Sequence, residues 1–213
     1  MLIMVVGTRP EMTKMAPVLW ELDRRKCPYR LVHTGQHYDY NLYKVFLDEL
    51  GLREPDAFLG VGSGSREEQI EKIRNRCADY FARGEKIRCV VVEGDTNSVL
   101  GAALAAKACG SFLAHVESGA RSFDPAMPEE INRIQTDRIS DLRFAPTVQC
   151  VENLRREGLV KNVVLSGNTE VETLAFCLKK KRKPPFEVPA RFSLVTLHSQ
   201  SNATVEKLRH LWT

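Results

Sequence analysis

Short apolar runs that end abruptly in glycine and polar residues are the feature that most limits what this chain can fold into. Leu2 to Val6 is wholly apolar and is followed at once by Gly7-Thr8-Arg9-Pro10-Glu11. An apolar run without alternation reads as a strand buried on both faces, as in a parallel sheet. Pro10 suits the first turn of a helix, where a missing N–H costs nothing, and the helical pattern runs to about Arg25. The unit then recurs. Tyr29 to His33 leads into Thr34-Gly35-Gln36-His37 and a helix to about Leu50. Ser65 and Glu68 form a capping box for a helix over 66–83. Ile87 to Val92 ends in Glu93-Gly94-Asp95-Thr96, where Asp95 or Thr96 can cap a helix from Val99 to about Cys109. Further strands are expected at 111–114, 141–144 and 162–165, the last two followed by helices to about Glu157 and Lys180. Strands alternating with helices of this length predict an α/β fold, a doubly wound parallel Rossmann-like sheet.

Composition excludes several classes. The 213 residues are 43% hydrophobic and 27% charged, as expected of a globular protein with a sizeable core. A net charge of +4 is too small to argue for nucleic acid. The six cysteines, at 27, 77, 89, 109, 150 and 177, form no CxxC pair, so neither a metal site nor a redox pair is expected. Scattered thiols suit a cytoplasmic protein. No apolar run approaches the length of a membrane span and no signal peptide is evident. The basic run at 179–183, with Pro184, Pro185 and Pro189 behind it, reads as a solvated helix end entering a linker over 181–190. Residues 1–180 then form one domain. Arg191 to Leu197 restarts as a strand and Ala203 to Thr213 looks helical, the first βα unit of an otherwise missing second domain.

Chemistry concentrates in His115 to Arg133. Glu117 stands at a strand end, Gly119 frees the backbone, and Arg121 follows. After a loop punctuated by Pro125 and Pro128, Glu129, Glu130 and Arg133 open a helix. Ligands of open α/β sheets sit at the carboxyl ends of strands, and crowded carboxylates push one another's pKa values apart. Asp95, after another strand, lines the same edge. Arg9 and Lys14 put positive charge beside the first strand–helix turn, where free N–H groups favour an anion. The plainer readings are a solvated helix face for Lys14, a solvated side chain for Arg66 and a helix cap for Asp95.

GTRPE at 7–11 with Lys14, TGQH at 34–37, GDTNSVL at 94–100, HVESGARS at 115–122, PEEINR at 128–133, APT at 145–147, EGL at 157–159 and GNT at 167–169 occur in order and spacing. Together they resemble the non-hydrolysing UDP-N-acetylglucosamine 2-epimerases over about residues 1–198. The resemblance implies the first half of a two-domain fold of the glycosyltransferase-B type, with the active site between the domains. It implies interconversion of UDP-N-acetylglucosamine and UDP-N-acetylmannosamine by elimination and re-addition of UDP. Neither a nicotinamide nor a metal is implied as cofactor, and a homodimer is. By position, Asp95, Glu117, Glu129 and His198 match the family's catalytic groups. Arg9, Lys14, Thr96, Arg121, Glu130 and Arg133 match its substrate-binding ones. Gln36 and His37, with Arg66 nearby, match a second, activating substrate site of some members.

Two departures bear on activity. His198 is followed by Ser199 and, two residues on, Ser201, where the family usually has arginine and glutamate. The chain also stops one βα unit into the second domain, which supplies the family's uridine contacts. An impaired epimerase is therefore expected. The alternatives are a non-catalytic half that binds a sugar nucleotide or a partner chain, and a hydrolysing epimerase.

Overall fold

The computed structural model describes residues 1–36, 43–83, 86–180 and 186–195. His37, His198, the serines at 199 and 201 and the helix expected at 203–213 lie outside the described residues. The chain divides into two units, Met1–Lys179 and Lys180–Thr213.

The first unit alternates strand and helix: β1 (Leu2–Val6), α1 (Arg9–Arg24), β2 (Tyr29–His33), α2 (Lys44–Leu50), β3 (Ala57–Phe58), α3 (Arg66–Phe81), β4 (Cys89–Glu93), α4 (Asn97–Ala108), β5 (Phe112–Val116), α5 (Pro128–Ile139), β6 (Leu142–Ala145), α6 (Val148–Arg156), β7 (Val163–Leu165) and α7 (Thr169–Lys180). The strands form one parallel sheet in the order β3-β2-β1-β4-β5-β6-β7. Starting at β1, the chain builds outward to β3, returns to the other side of β1 and builds away from it. The order reverses between β1 and β4, which opens a crevice at their carboxyl ends.

Both sheet faces are covered, as the unbroken apolar strands require. Ile3, Val5, Val90 and Val92 pack on Ile73 and Cys77 of α3 and on the alanines of α4. Met4, Val6, Val91 and Ala114 face Met12, Met15 and Leu19 of α1 and Leu47 of α2. The alanine-rich α4 lets α3 and the sheet approach closely. A methyl group added at Gly101 would sit 2.6 Å from the Ile73 side chain.

Local signals account for most boundaries. Ser65 and Glu68 make the expected capping box. Thr147 caps α6 by accepting from Cys150 N–H. At the start of α4 the cap is Thr96, which accepts from Ser98 and Val99 N–H and leaves Asp95 free for other work. The two-residue β3 has too short a pattern to see in the sequence. The strand expected from Arg191 is absent over 191–195: all five residues are exposed, so the apolar alternation has no face to bury.

Gly7 is where the crevice is tightest. A Cβ there would lie 2.0 Å from Ser98 Oγ and 2.1 Å from Thr34 Oγ1, which are themselves hydrogen-bonded at 2.7 Å. Gly7→Ala should therefore cost about 1–3 kcal/mol by overpacking. Urea unfolding measures it, and wild-type stability would contradict the packing described.

Candidate functional site

Three loops converge at the carboxyl edge of β1, β4 and β5. The β1–α1 turn brings Thr8 and the start of α1 brings Glu11 and Lys14, the β4–α4 turn brings Asp95 and Thr96 after Glu93, and the β5–α5 loop brings Glu117. Lys14 Nζ lies 2.5 Å from Glu117 Oε2 and 3.8 Å from Glu93 Oε1. The Lys14 side chain is only 18% exposed, so it is an internal counterion and not a solvated helix face. Burial works against its charge, but Glu93 and Glu117 outweigh that and raise its pKa. On the opposite wall Arg133 of α5 pairs with Asp95 at 2.5 Å.

These carboxyl groups do not share one charge state. Burial raises the pKa of Asp95, and the nearby Glu117 adds to the shift against the pull of Arg133 and Lys14. Glu117 is also partly buried, yet the neighbouring Glu93 carboxyl and Lys14, by its charge and its hydrogen bond, hold its carboxyl below the ordinary value. One carboxylate is thus kept ionised beside another that takes up a proton more readily, the division of labour acid/base chemistry needs.

The backbone at Glu117 is held in the left-handed region, φ 69°, which is strained for a side chain with a Cβ. Its surroundings enforce this. Ser118 N–H donates to Phe144 O at 3.0 Å, Gly119 N–H to Asp137 Oδ2 at 3.0 Å, and Ser118 Oγ to His115 O at 2.9 Å. Beneath the loop, His115 is completely buried, its Nδ1 2.7 Å from Asp137 Oδ1 and its Nε2 2.7 Å from Gly94 O. It ties the Asp95 turn to α5. Asp137 also pairs with Arg121. Burial opposes the charge on Asp137, but His115 and Arg121 prevail and bring its pKa down to about 2.

The expected site residues separate into two groups. Lys14, Asp95, Glu117 and Arg133 come together at the crevice. Glu129 is exposed at the start of α5, one turn before Arg133 and on the same helix face. Arg9 is exposed at the start of α1, its guanidinium carbon 5.8 Å from the centre of the Phe46 ring. The others are held by the protein itself. The Arg121 side chain is 1% exposed and bonds Glu157, Asp137 and the Ala120 carbonyl, so its guanidinium is held within the chain. Glu130 accepts from Ser122 and Phe123 N–H and so fixes the loop before α5. Thr96 caps α4 and donates to Glu11 at 2.6 Å. Gln36 accepts from Ser98 N–H and Oγ across the switch point. Arg66 is not merely solvated: it donates to Asn132 Oδ1 at 2.6 Å, and Asn132 in turn holds the Asp95 carbonyl. Among the described residues no group of three or more His, Cys, Asp or Glu side chains is arranged to hold a metal ion.

Sequence reasoning passed over Glu11, Glu93, His115 and Asp137. The available signal was a charged or titratable residue inside an apolar run, as in CVVVE and FLAHV, since such a group is buried and must be partnered. Glu11 is 1% exposed and accepts from Gly7 N–H at 2.7 Å and from the hydroxyls of Thr8 at 2.8 Å and Thr96 at 2.6 Å. Burial still pushes its pKa up, to about 7 from an ordinary 4.5. The folded chain therefore keeps a proton there that the unfolded chain has released. The stability this gives is full below the unfolded value and is lost as pH rises through about 7. Glu11→Gln keeps both bonding roles, since threonine hydroxyls can accept as well as donate, and removes the titration. The variant should gain on wild type by up to about 3 kcal/mol between pH values below and above that window. Urea unfolding at both pH values checks this, and a constant difference would contradict it.

Residues 21–213 match the sequence model of the family described as UDP-N-acetylglucosamine 2-epimerase. The chain is 40% identical over 207 residues to the UDP-N-acetylglucosamine 2-epimerase of Methanococcus maripaludis, covering 93% of this chain and 56% of that protein. To the enzyme of the same name from Methanocaldococcus jannaschii it is 40% identical over 221 residues, covering 99% of this chain and 60% of that one. The crystal structure of a Methanocaldococcus jannaschii UDP-GlcNAc 2-epimerase in complex with UDP-GlcNAc and UDP superposes with a TM-score of 0.83 at 42% identity, over 85% of this chain and 51% of that one. The present chain thus spans little more than half the length of these relatives. No helix among the described residues is long and apolar enough to cross a membrane. The matched residues and the shared sheet place this chain in the UDP-N-acetylglucosamine 2-epimerase family.

Proposed function

We propose that this chain carries the acid/base half of an epimerase acting at carbon 2 of UDP-N-acetylglucosamine. The observation that carries the reading is the pairing at the switch point of an ionised Glu117, held by Lys14, with an Asp95 of raised pKa, held by Arg133. Epimerisation moves a proton off one face of carbon 2 and returns one to the other, which needs two groups in opposite protonation states. In this reading Glu117 takes the proton in one direction and Asp95 supplies it, and the roles exchange in reverse. Cleavage of the anomeric C–O bond leaves negative charge on the diphosphate. The N-terminus of α1 and Arg9 are proposed to stabilise it, and the carboxylates to favour a cationic sugar ring.

Glu129 and, on the family resemblance alone, His198 belong to the same proposal as further catalytic groups, and Gln36, His37 and Arg66 as the region of an activating second site. The family's uridine contacts are expected from its second domain. Binding energy from that remote part of the substrate normally supports positioning at the reacting carbon, so the 213 residues by themselves are expected to be slow. The working form is proposed to be a cytoplasmic homodimer, a setting that suits six unpaired thiols.

Proton NMR of UDP-N-acetylglucosamine in deuterium oxide tests the reading. The carbon-2 proton signal should fade with a turnover below about 1 per second, the low end for enzymes. Glu117→Gln should slow the loss at least about 100-fold. Exchange that survives both Glu117→Gln and Asp95→Asn would contradict it.

A further inference from the structure

Glu93 closes β4 with its side chain 1% exposed, and it is laddered to Val116, the neighbour of Glu117. Its position is electrostatically awkward. The ammonium of Lys14 is in hydrogen-bonding contact with Glu117 at 2.5 Å but lies 3.8 Å from Glu93 Oε1, too far for a hydrogen bond. Glu93 Oε1 has no hydrogen-bond donor among the described residues. Two carboxylates, one of them fully buried, against one ammonium leave a net negative charge, and an ionised carboxylate oxygen without a donor is costly to bury. One proton on Glu93 resolves both problems. The group becomes neutral, and an acceptor without a donor becomes a donor with the Glu117 carboxylate beside it.

We propose that Glu93 is a positioning residue that works through Glu117: its neutral carboxyl donates a hydrogen bond to the Glu117 carboxylate and, with Lys14, keeps that carboxylate charged and aligned. The groups facing the pair are Lys14 and Glu11 from α1, Asp95 from the β4–α4 turn and His115 from β5, with Glu170 of α7 acting on Lys14. Burial pushes Glu93 well above the ordinary carboxylate range, and Glu117 and Glu11 add to the shift against Lys14. Glu117 moves the opposite way. Neither Asp95 nor Glu11 can take over from Glu93, because Asp95 is turned to Arg133 and Glu11 to Gly7, Thr8 and Thr96. The catalytic meaning of the bond rests on the epimerase reading given above; the bond itself does not.

The test therefore uses neither substrate nor turnover. Glutamates labelled with carbon-13 at the carboxyl are followed by NMR against pH in the whole chain, with the two signals assigned through Glu93→Gln and Glu117→Gln. In the wild type, Glu93 should titrate well above the ordinary carboxylate range and Glu117 below its ordinary value. Glu93→Leu, which removes the donor, should raise the Glu117 midpoint by about one unit, and Glu93→Gln, which keeps an N–H donor, should leave it low. The sign is decisive. If Glu93 were an anion, removing it would lower the Glu117 midpoint by relieving repulsion. A Glu93 that titrates in the ordinary carboxylate range in the wild type, or a Glu117 midpoint that falls or stays put in Glu93→Leu, overturns the proposal. The wild-type titration decides even if the leucine variant does not fold.

Discussion

The contact between Lys14 and Glu117 is the interaction on which the site depends. A lysine mostly out of water on α1 and a carboxylate on a strained turn after β5 meet across a crevice that exists only because the strand order reverses between β1 and β4. Neither group would be stable there alone. Their pairing sets the charge of the crevice, and the other buried carboxyls adjust to it. Arg133 neutralises Asp95 on the far wall, while Glu93 and Glu11, without cations of their own at hydrogen-bonding distance, move toward the protonated form.

A second, deeper layer holds the geometry. His115, Asp137 and Arg121 form a buried polar chain under the Glu117 turn, and it connects the β4–α4 turn, α5 and Glu157 just after α6. Such a chain is expensive unless every member is satisfied. Here it fixes the left-handed backbone of Glu117 from below, by binding Gly119 N–H through Asp137 and the Ser118 hydroxyl through the His115 carbonyl. Strain at one residue is tolerable where the surroundings over-determine it, and that condition is met here.

Much of this was legible in the sequence. The apolar runs, the capping box at Ser65 and the glycines that follow most strands suffice for a doubly wound parallel sheet, because each signal is local. The crevice residues were legible as types at strand ends, and Lys14, Asp95, Glu117 and Arg133 do converge. What the sequence could not show is which polar groups face one another. Arg121 and Glu130, which the motif marks as substrate-binding, are held within the chain by partners, Asp137, Glu157 and the Ser122–Phe123 backbone, that are distant or featureless in sequence. Glu11 and Glu93 were passed over for the converse reason: burial decides their chemistry, and only Glu93, at the end of an apolar run, carries a local hint of it. The two-residue β3 and the unformed strand at 191–195 fail alike, because short strands are specified by their neighbours.

The central claim is that the proposed sugar-nucleotide chemistry belongs to the crevice between β1 and β4. Backbone amide NMR of the nitrogen-15-labelled chain, titrated with UDP-N-acetylglucosamine, tests it most directly. The account predicts shifts concentrated at Gly7 to Arg9, Gly94 to Thr96 and Glu117 to Gly119. Shifts confined to other loops, or none at saturating ligand, would contradict it.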